Sequence, residues 1–212
     1  FNMISAIFPP TSGEITFMGQ DVSKKSADEA TPLGIARTFQ NLQVFKHMSV
    51  IENVMVGRHV KTKSGIFQSA FMLPSAKKEE KEAYEKSMEY VRFVGLENNF
   101  DQRAGNLSLG KLRLLELARA LAAEPKLLLL DEIAAGLNHK ETKEMSMLIN
   151  TLKEDGMTVF VVEHDMDLVM SICDKVIALD QGEKIAEGTP REIQSNRRVI
   201  TAYLGADIED AQ

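Results

Sequence analysis

The sequence predicts an α/β fold, a parallel sheet covered by helices, with a mostly helical insert over roughly residues 41–123. Three observations carry this expectation. From residue 126 onward the chain alternates strand, helix, strand, helix, strand. The runs at 127–130 and 157–162 are solidly apolar, as strands of a parallel sheet buried on both faces are. Between 41 and 123 the signals are instead helical: capping residues, long charged stretches and apolar residues recurring on one face.

The elements follow in order. Residues 1–7 read as the tail of a helix, stopped by Pro9-Pro10 and the Thr11-Ser12-Gly13 turn. A chain that opens in mid-helix without a cap leads us to expect that the natural protein extends upstream of Phe1. Residues 14–18 alternate as a strand before a turn at Gly19-Gln20, and 35–39 form a second short strand leading into Gln40. Ser49 and Glu52 make a capping box for a helix to about residue 60. An irregular stretch follows, with an apolar patch at Ile66, Phe67, Phe71, Met72 and Leu73. Residues 76–94 form a charged helix with Tyr84, Met88 and Val91 on one face and Gly95 as its stop. A further helix spans 109–123, and 126–130 is a buried strand. Asn138 and Glu141 cap a helix to about residue 155. A strand at 157–162, a helix at 166–172, a strand at 175–179, a hairpin at Gln181-Gly182 and two short helices complete the chain.

Bulk properties narrow the function classes. With 212 residues, 44% of them hydrophobic, the chain can bury one large core or two small ones. A net charge of −6 argues against a nucleic-acid surface. One cysteine, Cys173, excludes a disulfide framework and favours a reducing compartment. No apolar run approaches the ~18–20 residues that span a bilayer, and Phe1–Phe8 lacks the basic lead of a signal peptide. Any work at a membrane is therefore expected to be peripheral.

Four places could carry chemistry. The apolar run 127–130 ends in Asp131-Glu132, placing two carboxylates at the carboxyl edge of a parallel sheet, where ligands bind in such folds. One carboxylate suits Mg²⁺ and the next suits activation of a water, although an acidic helix cap would give the same string. His164 follows the next strand and could reach the same ligand, or be an ordinary surface histidine. Ser108, with Gly110 beside it, opens a helix and could bind phosphate or serve only as an N-cap. Gly105 to Lys111 matches the phosphate-loop pattern, but Leu112 replaces the required Ser or Thr and no strand precedes it. It is rejected.

The order of the pieces Arg37-Thr38-Phe39-Gln40, Leu107-Ser108-Leu109-Gly110-Lys111, 127–132, Ala134-Ala135-Gly136-Leu137-Asn138 and Val162-Glu163-His164 resembles the ABC-transporter ATPases. The segments Gly34 to Leu42 and Glu52 to His59, the long insert before Val94-Gly95-Leu96 and the ending Ile200 to Gly205 are similar to the LivG-type subunits of branched-chain amino-acid importers. The resemblance implies a P-loop NTPase (RecA-like) core with an ABC-type helical subdomain. It divides the chain into an incomplete core portion at 1–40, the helical subdomain at 41–123, the rest of the core at 124–190 and a helical tail at 191–212. It implies ATP and Mg²⁺ as ligands, with Asp131 and Gln40 on the metal, Glu132 as catalytic base and His164 as a second catalytic residue, the switch histidine. Ser108 and Gly110 would contact nucleotide held by a second ATPase subunit, and Gln40 and Asn138, which closes the loop begun at Ala134, are the further nucleotide-binding residues it implies. The implied partners are transmembrane permease subunits and, indirectly, a substrate-binding protein, with no nucleic acid. The implied place is the cytoplasmic face of the cell membrane.

Leu109, Lys111, Ile133 and Asn138 depart from the family's usual glycine, glutamine, proline and aspartate. The phosphate-binding loop and the adenine-stacking aromatic are expected upstream of Phe1, and without that loop the chain alone is expected to be inactive. Import of urea or amides, lipopolysaccharide export and a non-hydrolysing regulatory subunit stand as alternatives. The retained Asp131, Glu132 and His164 favour hydrolysis, and the insert at 57–95 favours import.

Overall fold

Phe1–Ile7 form a single helical turn rather than a longer helix. It closes at Ala6, which takes a left-handed φ of 57°, with Ile7 N–H donating to the Asn2 carbonyl and Ala6 N–H to that of Met3. This six-to-one and five-to-two pair ends the turn before the two prolines are reached. The computed structural model describes residues 1–61 and 74–204, so the apolar patch at Ile66, Phe67, Phe71, Met72 and Leu73 lies outside it.

Strand β1 (Thr16–Phe17) pairs with β2 (Gln20–Asp21) in a minimal hairpin. Its turn is Met18-Gly19, both at positive φ, and not Gly19-Gln20 as the sequence suggested. Helix α1 (Ala27–Leu33) was not expected from the sequence, although Ser26 and Glu29 form its capping box. It leads through Gly34 into β3 (Ile35–Arg37). The first turn, α1 and β3 meet in one apolar cluster of Ala6, Ala30, Ile35 and Leu129, flanked by Phe1, Ile4 and Phe17.

Helices α2 (Val50–Gly57), α3 (Pro74–Phe93) and α4 (Leu109–Leu121) pack against one another as the helical layer. The Ser49–Glu52 capping box starts α2 as predicted. On α3 the buried face is Ala83, Ser87, Met88 and Val91, whereas Tyr84, expected on that face, is 40% exposed. Asn53 of α2 is fully buried. Its Nδ2 donates to the carbonyls of Phe45 and Ser49 at 3.0 and 2.8 Å, and its Oδ1 accepts the Phe45 N–H at 2.8 Å. One side chain thus fixes the irregular segment between β3 and α2.

Strand β4 (Leu127–Asp131) lies in the middle of a parallel sheet, between β3 and β5 (Thr158–Val162). Leu128, Leu129 and Leu130 have no exposed surface, while Phe160 and Val162 of β5 are about 40% exposed. Helix α5 (His139–Glu154) connects β4 to β5 and packs on β5.

Phe1–Val162 form one compact unit and Glu163–Gln212 another. In the second, α6 (Met166–Ile172) precedes β6 (Val176–Asp180), β7 (Glu183–Gly188), α7 (Pro190–Gln194) and α8 (Arg197–Leu204). The sequence suggested β6 as a further parallel strand. The hairpin expected at Gln181-Gly182 forms, both residues at positive φ, and it pairs β6 antiparallel with β7 instead of with the parallel sheet.

Replacing Asn53 by alanine strands the Phe45 amide and carbonyl. The expected cost is about 1–3 kcal/mol, read as a lower urea midpoint at unchanged slope. An unchanged midpoint would refute the role given to Asn53.

Candidate nucleotide-hydrolysis site

The carboxyl edge of β3 and β4 brings together Gln40, Asp131 and Glu132. Past the end of β3, the Thr38 N–H donates to the Leu129 carbonyl at 2.9 Å, and its buried hydroxyl accepts the Asp131 N–H at 3.2 Å. A side chain thereby continues the ladder for one step and lets the backbone peel away at Phe39-Gln40. On the other side β4 stays paired with β5 to its last residue, and the Glu132 N–H donates to the Val162 carbonyl at 2.9 Å. Glu132 itself has a φ of 48°, a left-handed conformation that costs a non-glycine residue roughly 1–2 kcal/mol. The strain falls at the carboxylate aimed back at the loop: Gln40 Nε2 donates to Glu132 Oε2 at 2.8 Å.

Asp131 is held differently. Arg37 Nη2 donates to its Oδ2 at 2.6 Å, with the two side chains only 10% and 17% exposed. Arg37 Nη1 reaches Asn2 Oδ1 at 2.6 Å and Ser5 Oγ at 2.9 Å in the first turn. The guanidinium also lies 5.6 Å from the ring of Phe1 and 5.2 Å from that of Phe39, within cation–π range of both. The sequence reading quoted Arg37 only as part of a motif. A cation inside the otherwise apolar Ile35-Ala36-Arg37 strand was the available signal.

Two further residues were missed. Arg113 and Glu116 of α4 form an ion pair at 3.3 Å with side chains 5% and 1% exposed. Arg113 donates to the carbonyls of Phe39 and Gln40 at 3.2 and 3.0 Å, and Glu116 accepts the Phe39 N–H at 3.2 Å. Burial pushes the Glu116 carboxyl above its ordinary value, opposed by the Phe39 N–H and the Arg113 charge. Their signal was two opposite charges three residues apart in a largely apolar helix.

Ser108 and Gly110 stand at the start of α4. Ser108 is the N-cap, exposed, accepting the Lys111 N–H at 3.4 Å, and Gly110 is buried. Asn138 caps α5, its Oδ1 accepting the N–H groups of Lys140 and Glu141 at 3.0 and 3.1 Å. These two helix starts touch. A Cβ on Gly110 would overlap the Glu141 carboxylate, and one on Gly136 would fall 2.7 Å from Leu109 Cδ2. Leu109, the departure from the family's glycine, is accommodated because residue 136 is a glycine. His164 is exposed and belongs to the second unit, next to Asp165, which caps α6 by accepting the Leu168 N–H at 3.1 Å.

Among the described residues there is no cluster of three or more His, Cys, Asp or Glu side chains that could hold a metal. Carboxylate and amide oxygens at the strand end suit Mg²⁺ that arrives with phosphates and keeps few protein ligands. The donor set therefore fits a metal–nucleotide substrate rather than a resident metal.

Residues 1–135 match the family described as ABC transporter, and residues 183–209 match the one described as branched-chain amino acid ATP-binding cassette transporter. The high-affinity branched-chain amino acid transport ATP-binding protein LivG of Escherichia coli (strain K12) is 39% identical over 97% of this chain and 81% of its own length. BraF of Pseudomonas aeruginosa shows the same identity and coverage. A nucleotide-free ATP-binding cassette from an ABC transporter superposes with a TM-score of 0.81 at 30% identity, covering 96% of this chain and 81% of that one. A dimeric cassette in a post-hydrolysis state with ADP and Pi gives 0.74 at 26%, covering 90% and 78%. With the parallel sheet, the paired carboxylates at its edge and the helical layer all in place, the chain belongs to the ABC-transporter family of ATP-binding, ATP-hydrolysing subunits with a P-loop NTPase fold.

Proposed function

We propose that this subunit hydrolyses Mg-ATP at the edge of β3 and β4 to power import of branched-chain amino acids. The observation that supports the site most strongly is the Gln40–Glu132 hydrogen bond beside Asp131. It joins the loop leaving β3 to the first residue beyond β4. Asp131 would ligate Mg²⁺, which supplies charge neutralisation for the phosphates when bound. Gln40 would lend its amide oxygen to the metal or the attacking water. Glu132, opposite a neutral amide donor rather than a cation, would take the proton of that water. His164 would act at the γ-phosphate. Ser108 and Gly110, at the N-terminus of α4, would bind nucleotide held by a second subunit, with Asn138 shaping the neighbouring turn.

The permease contact is proposed between α2 and α3. A groove of about 380 Å³ is lined by Ile51, Met55 and Tyr84, with Glu52, Lys77, Glu80 and Lys81 at its rim. Phe45, before α2, is 49% exposed although its backbone is pinned by Asn53 and Arg119 lies over its ring at 5.9 Å. A groove between two helices with apolar residues in its lining suits the cytoplasmic helix of a membrane protein, and a fixed exposed aromatic suits an anchor for such a partner. No helix among the described residues is long and apolar enough to cross a membrane; a peripheral place on the cytoplasmic face is proposed from the likeness to transport ATP-binding proteins. The cargo follows from the names of the relatives and from the matched segment 183–209.

In the assembled transporter, Glu132→Gln should keep ATP binding and slow hydrolysis by roughly 10²–10⁴-fold, the usual contribution of a positioned base. Asp131→Asn should weaken Mg²⁺-dependent binding as well. Phosphate release and nucleotide-binding assays on the two variants decide this, and normal hydrolysis by Glu132→Gln would move the base to His164. For the cargo, deletion of the gene should abolish uptake of labelled leucine. Intact leucine uptake with lost urea uptake would overturn the cargo and leave the ATPase assignment standing.

A further inference from the structure

Arg113 and Glu116 do something that stability does not require. A buried ion pair is weak evidence for stability, since two apolar side chains of similar volume are often neutral or better in its place. This pair nevertheless sits in α4 where Leu115, Leu117 and Ala118 are wholly buried. It directs its hydrogen bonds outward to backbone. Three of them land on two consecutive residues: the Phe39 N–H on Glu116, and the Phe39 and Gln40 carbonyls on the two Arg113 Nη atoms. The Gln43 backbone also bonds the Glu116 carboxylate. Arg113 Nε, by contrast, is buried without a partner, so the fork is placed for its two carbonyls and not for its own full satisfaction.

The residue pinned this way is the one whose side chain meets Glu132. Gln40 is exposed and lies outside any helix or strand, so nothing in regular structure sets its direction. Its backbone carbonyl is fixed by Arg113, and its side chain is then in reach of Glu132 at 2.8 Å. Arg113 lies five residues beyond Ser108 on the same helix, about 7.5 Å along its axis at 1.5 Å per residue. The α4 start, where a partner subunit would engage, is therefore joined to the Phe39–Gln40 backbone through little more than one helical turn.

We propose that the Arg113–Glu116 pair is a positioning joint, through which α4 sets the placement of Gln40 against Glu132. It rests on the roles given above to Gln40 and Glu132. The simpler alternative is that the pair only satisfies backbone groups of a loop that enters the interior. The two differ in what happens to turnover when the loop stays folded.

The test uses the assembled transporter carrying Arg113→Leu with Glu116→Leu, a change that removes both charges together and leaves neither buried alone. The variant loses three hydrogen bonds to the loop, so its melting temperature should fall; assayed well below that temperature, its ATP KM should stay near that of the parent while kcat should fall about 10–100-fold, the usual loss when a group supporting a ligand is removed. Adding Gln40→Ala to this double variant should cost much less than Gln40→Ala costs alone, because the placement is already lost. Should the double variant fail to fold, Arg113→Lys decides. Its single ammonium keeps the ion pair but loses the fork to two carbonyls, and kcat should fall severalfold at unchanged KM. Parent-like kcat in a folded variant, or losses that multiply independently with Gln40→Ala, would overturn the joint. Glu132→Gln assayed in parallel tests the site itself, so a failure of the joint is separable from a failure of the base.

Discussion

Everything at the site depends on the register of β3 against β4. Ile35 lies opposite Leu127 and Arg37 opposite Leu129. A slip of one residue would turn Arg37 to the other face of the sheet, away from Asp131, and would carry the Thr38 hydroxyl off the Asp131 N–H. Gln40 would then no longer meet Glu132. What pins the register is local to the other end of the strand. The Gly34 carbonyl accepts the N–H groups of both Lys126 and Leu127 at 2.8 and 3.0 Å. Gly34 itself takes a φ of 108° to end α1 and start β3 in one residue. A strand of three residues is too short to fix its own alignment, so the turn before it and the threonine after it do so.

From that alignment two adjacent carboxylates acquire different partners. Asp131 remains in the strand and faces a guanidinium that is itself tied to the first helical turn and stacked between two aromatic rings. Glu132 leaves the strand in a left-handed conformation and faces a neutral amide. A carboxylate already selected for a cationic neighbour and one selected for a hydrogen-bond donor are suited to a metal and to a water, respectively. The helical layer reaches this edge through α4, whose Arg113 and Glu116 hold the loop and whose first residues abut the cap of α5. Binding of a partner at either helix start therefore has a short mechanical route to the carboxylates.

How much of this was legible in the sequence depended on how local the cause was. The capping boxes at Ser49–Glu52 and Asn138–Glu141 were found because both partners lie within one turn. The same pattern at Ser26–Glu29 was passed over, in a short helix that carries Pro32 near its end. The apolar run 127–130 announced a buried strand, and Asp131-Glu132 after it announced the edge. Strand 175–179 and the Gln181-Gly182 hairpin after it were visible too, but apolar patterning does not say which neighbour a strand will take, and β6 pairs within that hairpin rather than in the parallel sheet. Tyr84 was assigned to the inner face of α3, whereas the buried stripe runs through Ala83 and Ser87 and leaves Tyr84 to line the groove. Arg37, Arg113 and Glu116 gave the weakest signal, because the partners that define them are 32 to 94 residues away in the chain.

The most direct test of the account is a structure of the assembled transporter, carrying Glu132→Gln to hold the substrate, with Mg-ATP bound. The account predicts a side-chain oxygen of Asp131 facing the metal and the residue-132 side chain within about 2.6–3.2 Å of the water in line with the γ-phosphate, the reach a general base needs. Nucleotide bound away from the carboxyl edge of β3 and β4, or residue 132 turned away from that water, would contradict it.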